Sequence, residues 1–136
     1  MVVDEVRDGR RIAQLLASEI RGHERGPLGL CAVVEVQDVE GTEFGEFAYG
    51  VDVEGEGDGE EDGEERRLAD VFVHDDRARV EFRLGVEATV DAGRDAGLRV
   101  RPKASDPPRT VVFVESGVEA KRVLAVFRAV LDAQQA

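Results

Sequence analysis

The stretch Leu68-Ala69-Asp70-Val71-Phe72-Val73-His74-Asp75-Asp76-Arg77-Ala78-Arg79-Val80-Glu81-Phe82-Arg83-Leu84 decides the fold. Residues 68–73 are apolar apart from Asp70, and the four from His74 to Arg77 are polar. Beyond them Val80, Phe82 and Leu84 alternate with Arg79, Glu81 and Arg83. Alternation with a period of two puts apolar side chains on one face of a strand and polar ones on the other, and a short polar turn between two such runs is the signature of a β-hairpin. A hairpin in mid-chain implies a mainly antiparallel sheet with one face set aside for a core.

Upstream, Phe47, Tyr49, Val51 and Val53 alternate in the same way with Ala48, Gly50, Asp52 and Glu54, and the apolar run from Leu28 to Gln37 is the expected partner strand. Before that, Ile12, Leu15, Leu16 and Ile20 share one helical face behind Asp8, a suitable N-cap, and Gly22, Gly26 and Pro27 should end the helix. Downstream, Val86, Val90 and Gly93 have helical spacing, and Gly97 just before the strand Leu98-Arg99-Val100-Arg101 reads as a C-terminal stop. Alternation through Val86, Ala88 and Val90 competes with this helix, and Gly93 weakens it. Thr110 to Glu115 reads as a central strand. Ser116 followed by Glu119 forms a capping box for a last helix whose apolar positions, Ala120 to Leu131, span a wide face.

The order α-β-β-loop-β-β-α-β-β-α predicts a single α+β domain over 1–136. Its expected form is a two-layer sandwich, a mainly antiparallel sheet with two terminal helices and one short internal helix on one face. Between the second and third strands, residues 54–65 alternate acidic residues with glycine and read as a solvated, disordered loop.

Composition sets the surroundings. The chain has 136 residues and a formal net charge of -12, with 30 acidic residues against 18 basic ones. Only Lys103 and Lys121 are lysines, and 22 valines stand beside two isoleucines, Ile12 and Ile20. At molar salt the Debye length falls to about 3 Å, which screens the self-repulsion of so acidic a domain while its carboxylates keep it hydrated. The composition resembles that of cytosolic proteins of halophilic archaea as a class. No run approaches the length of a membrane span and no secretory leader is visible, so a cytoplasmic setting is expected. Cys31 is the only cysteine and lies in an apolar run, where it reads as a small hydrophobe.

No catalytic, metal or cofactor motif survives inspection. From Glu54 to Glu65 half of an EF-hand pattern is present, but Glu61 stands where an apolar residue belongs and strands flank the loop. Ser116 sits where a nucleophile elbow would, but Val114 and Val118 replace the required glycines. His74 with Asp75 and Asp76 is too small a ligand set for a metal. An enzyme built from scattered residues such as Asp70, His74, Glu81 and Arg83 is the third expectation.

Charge is distributed unevenly. Through Asp76 there are 7 basic and 22 acidic residues, and after it 11 basic and 8 acidic. Within the basic half, Arg99, Arg101 and Lys103 alternate with Leu98, Val100 and Pro102, so they project from one face of a strand, with Arg109 just past the next turn. This row is the candidate anion site, for an anionic small molecule or an acidic protein. Its bland alternative is pairing with the chain's own acidic residues. Nucleic acid is the runner-up partner, since salt cuts phosphate-driven affinity and stacking aromatics are few. The leading expectation is a non-enzymatic binding module, homodimeric through Val123, Val126, Phe127 and Val130 of the last helix.

Overall fold

The computed structural model describes residues 8–22, 27–54, 65–105 and 108–135. Three helices, α1 (Gly9–Gly22), α2 (Val86–Asp95) and α3 (Gly117–Gln135), accompany six strands. The strands are β1 (Cys31–Val34), β2 (Glu46–Glu54), β3 (Glu65–Val73), β4 (Ala78–Phe82), β5 (Arg99–Lys103) and β6 (Arg109–Val114). They form one antiparallel sheet in the order β1-β2-β3-β4-β6-β5. The molecule is therefore an α+β domain. Of the stretch 54–65 read as a loop, Glu54 ends β2 and Glu65 begins β3, and residues 55–64 lie outside the described residues.

Register makes the two faces of the sheet chemically different. Tyr49, Val71, Val80, Val112 and Val100 stand in one cross-strand row. On this face the Tyr49 hydroxyl donates to the Ala13 carbonyl of α1 at 2.7 Å, and Phe82 packs on Phe127 of α3 with ring centroids 4.8 Å apart. A side chain at Gly93 in α2 would strike Val100 of β5, so the glycine that weakened the helix reading is what lets α2 lie close to the sheet. All three helices thus contact one face, and the buried apolar residues of α1 and α3 join a single cluster with Val51, Val71, Val80 and Val112, against which Ala88 and Ala92 of α2 pack.

Local signals explain the boundaries. Arg11 donates its backbone N–H to the Asp8 carboxylate at 3.1 Å, capping α1. Gly97, at φ 77°, closes α2 in a Schellman motif, with the Leu98 N–H bonded to the Gly93 carbonyl and the Gly97 N–H to Arg94. Glu119 donates its N–H to the Ser116 hydroxyl at 3.2 Å, while its carboxylate accepts the N–H of Glu115 rather than that of the cap residue.

Two readings need correction. The strand expected from Leu28 to Gln37 is only Cys31–Val34. Pro27–Leu30 forms a 3-10 turn that buries Leu28, and Glu35 adopts a left-handed φ of 53°, which turns the chain out of the strand. The wide face of α3 is covered within the chain, because Val123, Val126, Phe127 and Val130 are all fully buried among the sheet, α1 and α2. The four residues expected at a homodimer seam are thus part of this chain's own core. Cys31 is half-buried at the core's edge, and burial pushes its thiol up to about 11, so it is a poor nucleophile.

Phe127→Ala should therefore cost roughly 3–5 kcal/mol of unfolding free energy, the range for a buried phenylalanine truncated to a cavity. Urea denaturation checks this. A loss below about 1 kcal/mol would mean that α3 does not carry the core in the chain as described.

Candidate functional site

The face of the sheet turned away from the helices is ionic and aromatic. One cross-strand row runs Gly50, Asp70, Glu81, Val111, Arg101, and the next runs Phe47, Phe72, Arg79, Phe113, Arg99. Asp70 and Glu81 are direct neighbours across β3 and β4, yet they are only 2% and 3% exposed. Two carboxylates buried side by side repel each other, and each carries a desolvation cost of several kcal/mol that only close cations and hydrogen bonds can offset.

Those cations are present, and every carboxylate oxygen of the pair is occupied. One Asp70 oxygen accepts from Arg67, and the other from Arg83 at 2.7 Å and Arg109 at 3.5 Å. One Glu81 oxygen accepts from Arg79 at 2.8 Å, and the other from Arg109 at 3.1 Å with Lys103 at 3.8 Å. Arg67 also reaches Asp52 at 2.7 Å and Glu35, lying across Gly50, where any side chain would collide with its guanidinium. Above the aromatic row, Arg79 stacks on Phe72 at 4.2 Å, and Arg99 and Arg77 stack on Phe113 at 4.6 and 5.6 Å. These contacts hold the guanidinium groups over the rings.

All four residues of the predicted cation row lie on this face. Arg99 pairs with Glu115 at 2.8 Å. Lys103 stands opposite Arg109 in register, and both turn toward Glu81. Arg101 is exposed and makes no ion pair among the described residues. What sequence reasoning missed is that Arg77 and Arg79, from the hairpin, face Arg101 and Lys103 across a groove of about 540 Å³ floored by Glu81, Val111 and Phe113. A signal was available: Asp70 is a lone carboxylate inside an apolar strand, and the alternation of Arg79, Glu81 and Arg83 marks a second charged face.

His74 closes one end of this groove and is 5% exposed. Its Nδ1 lies 3.0 Å from the Glu43 carbonyl, so Nδ1 carries the proton and donates there, which leaves Nε2 to accept from Arg79 at 2.8 Å. Gly45, at φ 90°, sits against the imidazole ring. Burial, above all, holds the imidazole below its usual range; the Glu43 bond opposes this, Arg77 and Arg79 reinforce it, and Asp76 opposes it.

On the whole face, eight cations (Arg67, Arg77, Arg79, Arg83, Arg99, Arg101, Lys103, Arg109) meet six carboxylates (Glu35, Asp52, Asp70, Asp76, Glu81, Glu115) among the described residues. Asp70, Glu81 and Arg83 belong to one ion-pair network, which His74 joins through Arg79. No cluster of three or more metal-ligating side chains occurs among the described residues.

The histidine geometry sets a pH dependence. Below the ordinary value of 6.5, the unfolded chain takes up a proton at His74 that the folded chain refuses. Its contribution to stability is therefore complete above that pH and is lost as pH falls through the lower, folded value. Melting temperature should drop more steeply from about pH 7 to about pH 5 in the wild type than in His74→Gln, which cannot charge. Parallel pH profiles for the two proteins would contradict the assignment.

A comparison with curated proteins and one with solved structures each find no match. The model of one protein family covers residues 1–136, and on that match the chain belongs to DUF7993, a family of unknown function.

Proposed function

We propose that this chain is a non-enzymatic binding module of a salt-rich cytoplasm, and that it takes a small polyvalent anion in the groove between the β3–β4 turn and β5. The observation that carries this reading is the convergence of four cations, Arg77, Arg79, Arg101 and Lys103, on one groove of about 540 Å³, with Arg101 committed to no carboxylate among the described residues. Guanidinium forks suit phosphate-like and carboxylate anions because they donate two parallel hydrogen bonds. Glu81 beneath them acts as a support, since its three cations hold the neighbouring guanidiniums in place before a ligand arrives.

The acid surplus, the near absence of lysine and the arginine-carpeted face support the salty setting together. Arginine is more weakly hydrated than lysine, and its stacking on Phe72 and Phe113 does not depend on charge alone, so these contacts persist when salt screens exposed pairs. The volume of the groove falls within the range of small-molecule clefts, and its open shape suits a ligand held mainly by charge.

Calorimetric titration with pyrophosphate, in the lowest KCl concentration that keeps the chain folded by circular dichroism, tests the proposal. The double variant Arg101→Glu/Lys103→Glu should weaken binding by at least about tenfold, while Arg122→Glu on the exposed side of α3 should not. Absence of binding to the wild type, or equal loss in both variants, would overturn it.

A further inference from the structure

A second concavity lies on the helix side of the sheet, away from the basic groove. It exists because the chain leaves β1 abruptly. Glu35, at φ 53°, is held by its ion pair with Arg67, and the Gln37 N–H then bonds to the Ala48 carbonyl at 2.7 Å. Asp38 next pairs with Arg10 of α1, so the segment after β1 is fastened both to β2 and to the helix. Between that segment and α1 is a recess of about 360 Å³.

Its lining divides into an apolar floor and a polar rim of Arg10, Gln14, Ser18, Arg21, Gln37 and Asp38, the Asp38 carboxylate being neutralised by Arg10. Ala13 and Ala17 of α1 and Ala48 of β2 supply the space, since a leucine at any of them would begin to fill it, and Tyr49 lies beside them. The Tyr49 hydroxyl is already bonded to the Ala13 carbonyl, so the ring supplies apolar surface. Val36 stands beside the recess with 57% of its surface exposed, high for a valine. Arg10 is engaged by Asp38 and Glu40, whereas Arg21, also on the rim, makes no ion pair among the described residues and lies near enough to Tyr49 to act on it electrostatically.

An apolar floor with a cation at the edge that no described carboxylate engages is complementary to an organic anion. We propose that this recess is a binding site for a small organic monoanion with a compact apolar body, of the aryl-alkyl carboxylate class. The body rests on Ala13, Ala17 and Ala48, and the carboxylate pairs with Arg21. The volume lies at the small end for ligand clefts, which limits the occupant to a single ring with a short acidic arm. The site shares no residue with the basic groove, and the two proposals stand or fall separately.

The chain supplies its own reporter, because Tyr49 is the only tyrosine and there is no tryptophan. Titration with 4-phenylbutyrate should change tyrosine emission saturably, and the uncharged 4-phenylbutyramide should bind about tenfold more weakly or worse. Arg21→Gln, at an exposed position, should weaken the acid by about tenfold and leave the amide unchanged, bringing the two together. Ala17→Leu should abolish both responses; if that variant does not fold, the Arg21→Gln comparison decides alone. An emission change that does not saturate, or an acid that binds no better than its amide, would overturn the proposal.

Discussion

Two carboxylates that stand next to each other across β3 and β4, almost without water, impose the arrangement of everything else on the second face of the sheet. Asp70 and Glu81 can be tolerated there only with close cations, which Arg67, Arg79, Lys103 and Arg109 supply from four strands and Arg83 from just past β4. The sheet consequently has two interiors. Under the helices it is held by aliphatic and aromatic packing around Val71, Val80, Phe82 and Phe127, and on the other side by an ionic layer bound to rings at Phe72 and Phe113. Removing one member of such a layer leaves a buried charge uncompensated, which costs more than the pair contributes when intact. The same layer brings Arg77, Arg79, Arg101 and Lys103 to one groove.

That grouping of cations connects the fold to the proposed function. Three of the four groove cations, Arg77, Arg79 and Lys103, are held by carboxylates before a ligand arrives, so ordering entropy is lost mainly at Arg101 on binding. His74 contributes by accepting from Arg79 as a neutral ring, which adds an orienting contact without another charge. In concentrated salt this matters, because exposed charges are screened within about 3 Å at 1 M while contacts in a drier layer are screened much less.

Much of the architecture could be read from residues that act locally. Asp8, Ser116 and Gly97 mark helix ends through bonds to backbone groups a few residues away, and the polar turn His74 to Arg77 fixes the hairpin. The alternation of Arg99, Arg101 and Lys103 placed them correctly on one face of a strand. Features that depend on distant partners were not legible. The width of the apolar face of α3 shows that something covers it, but not that α1, α2 and the sheet do so together. The end of β1 at Glu35 depends on an ion pair with Arg67, thirty-two residues away, which no local pattern encodes. The groove likewise exists only because β4 and β5 flank β6, an adjacency that sequence order does not reveal.

The account rests on the claim that the carboxylate pair and its cations act as one coupled unit rather than as separate surface contacts. A double-mutant cycle on Glu81→Gln and Arg109→Gln, followed by urea denaturation at moderate and at molar KCl, tests this most directly. The coupling energy should fall within about 0.5–3 kcal/mol and survive the increase in salt. Additivity within about 0.3 kcal/mol, or a coupling that disappears in molar KCl, would show that the second face is an ordinary solvated surface.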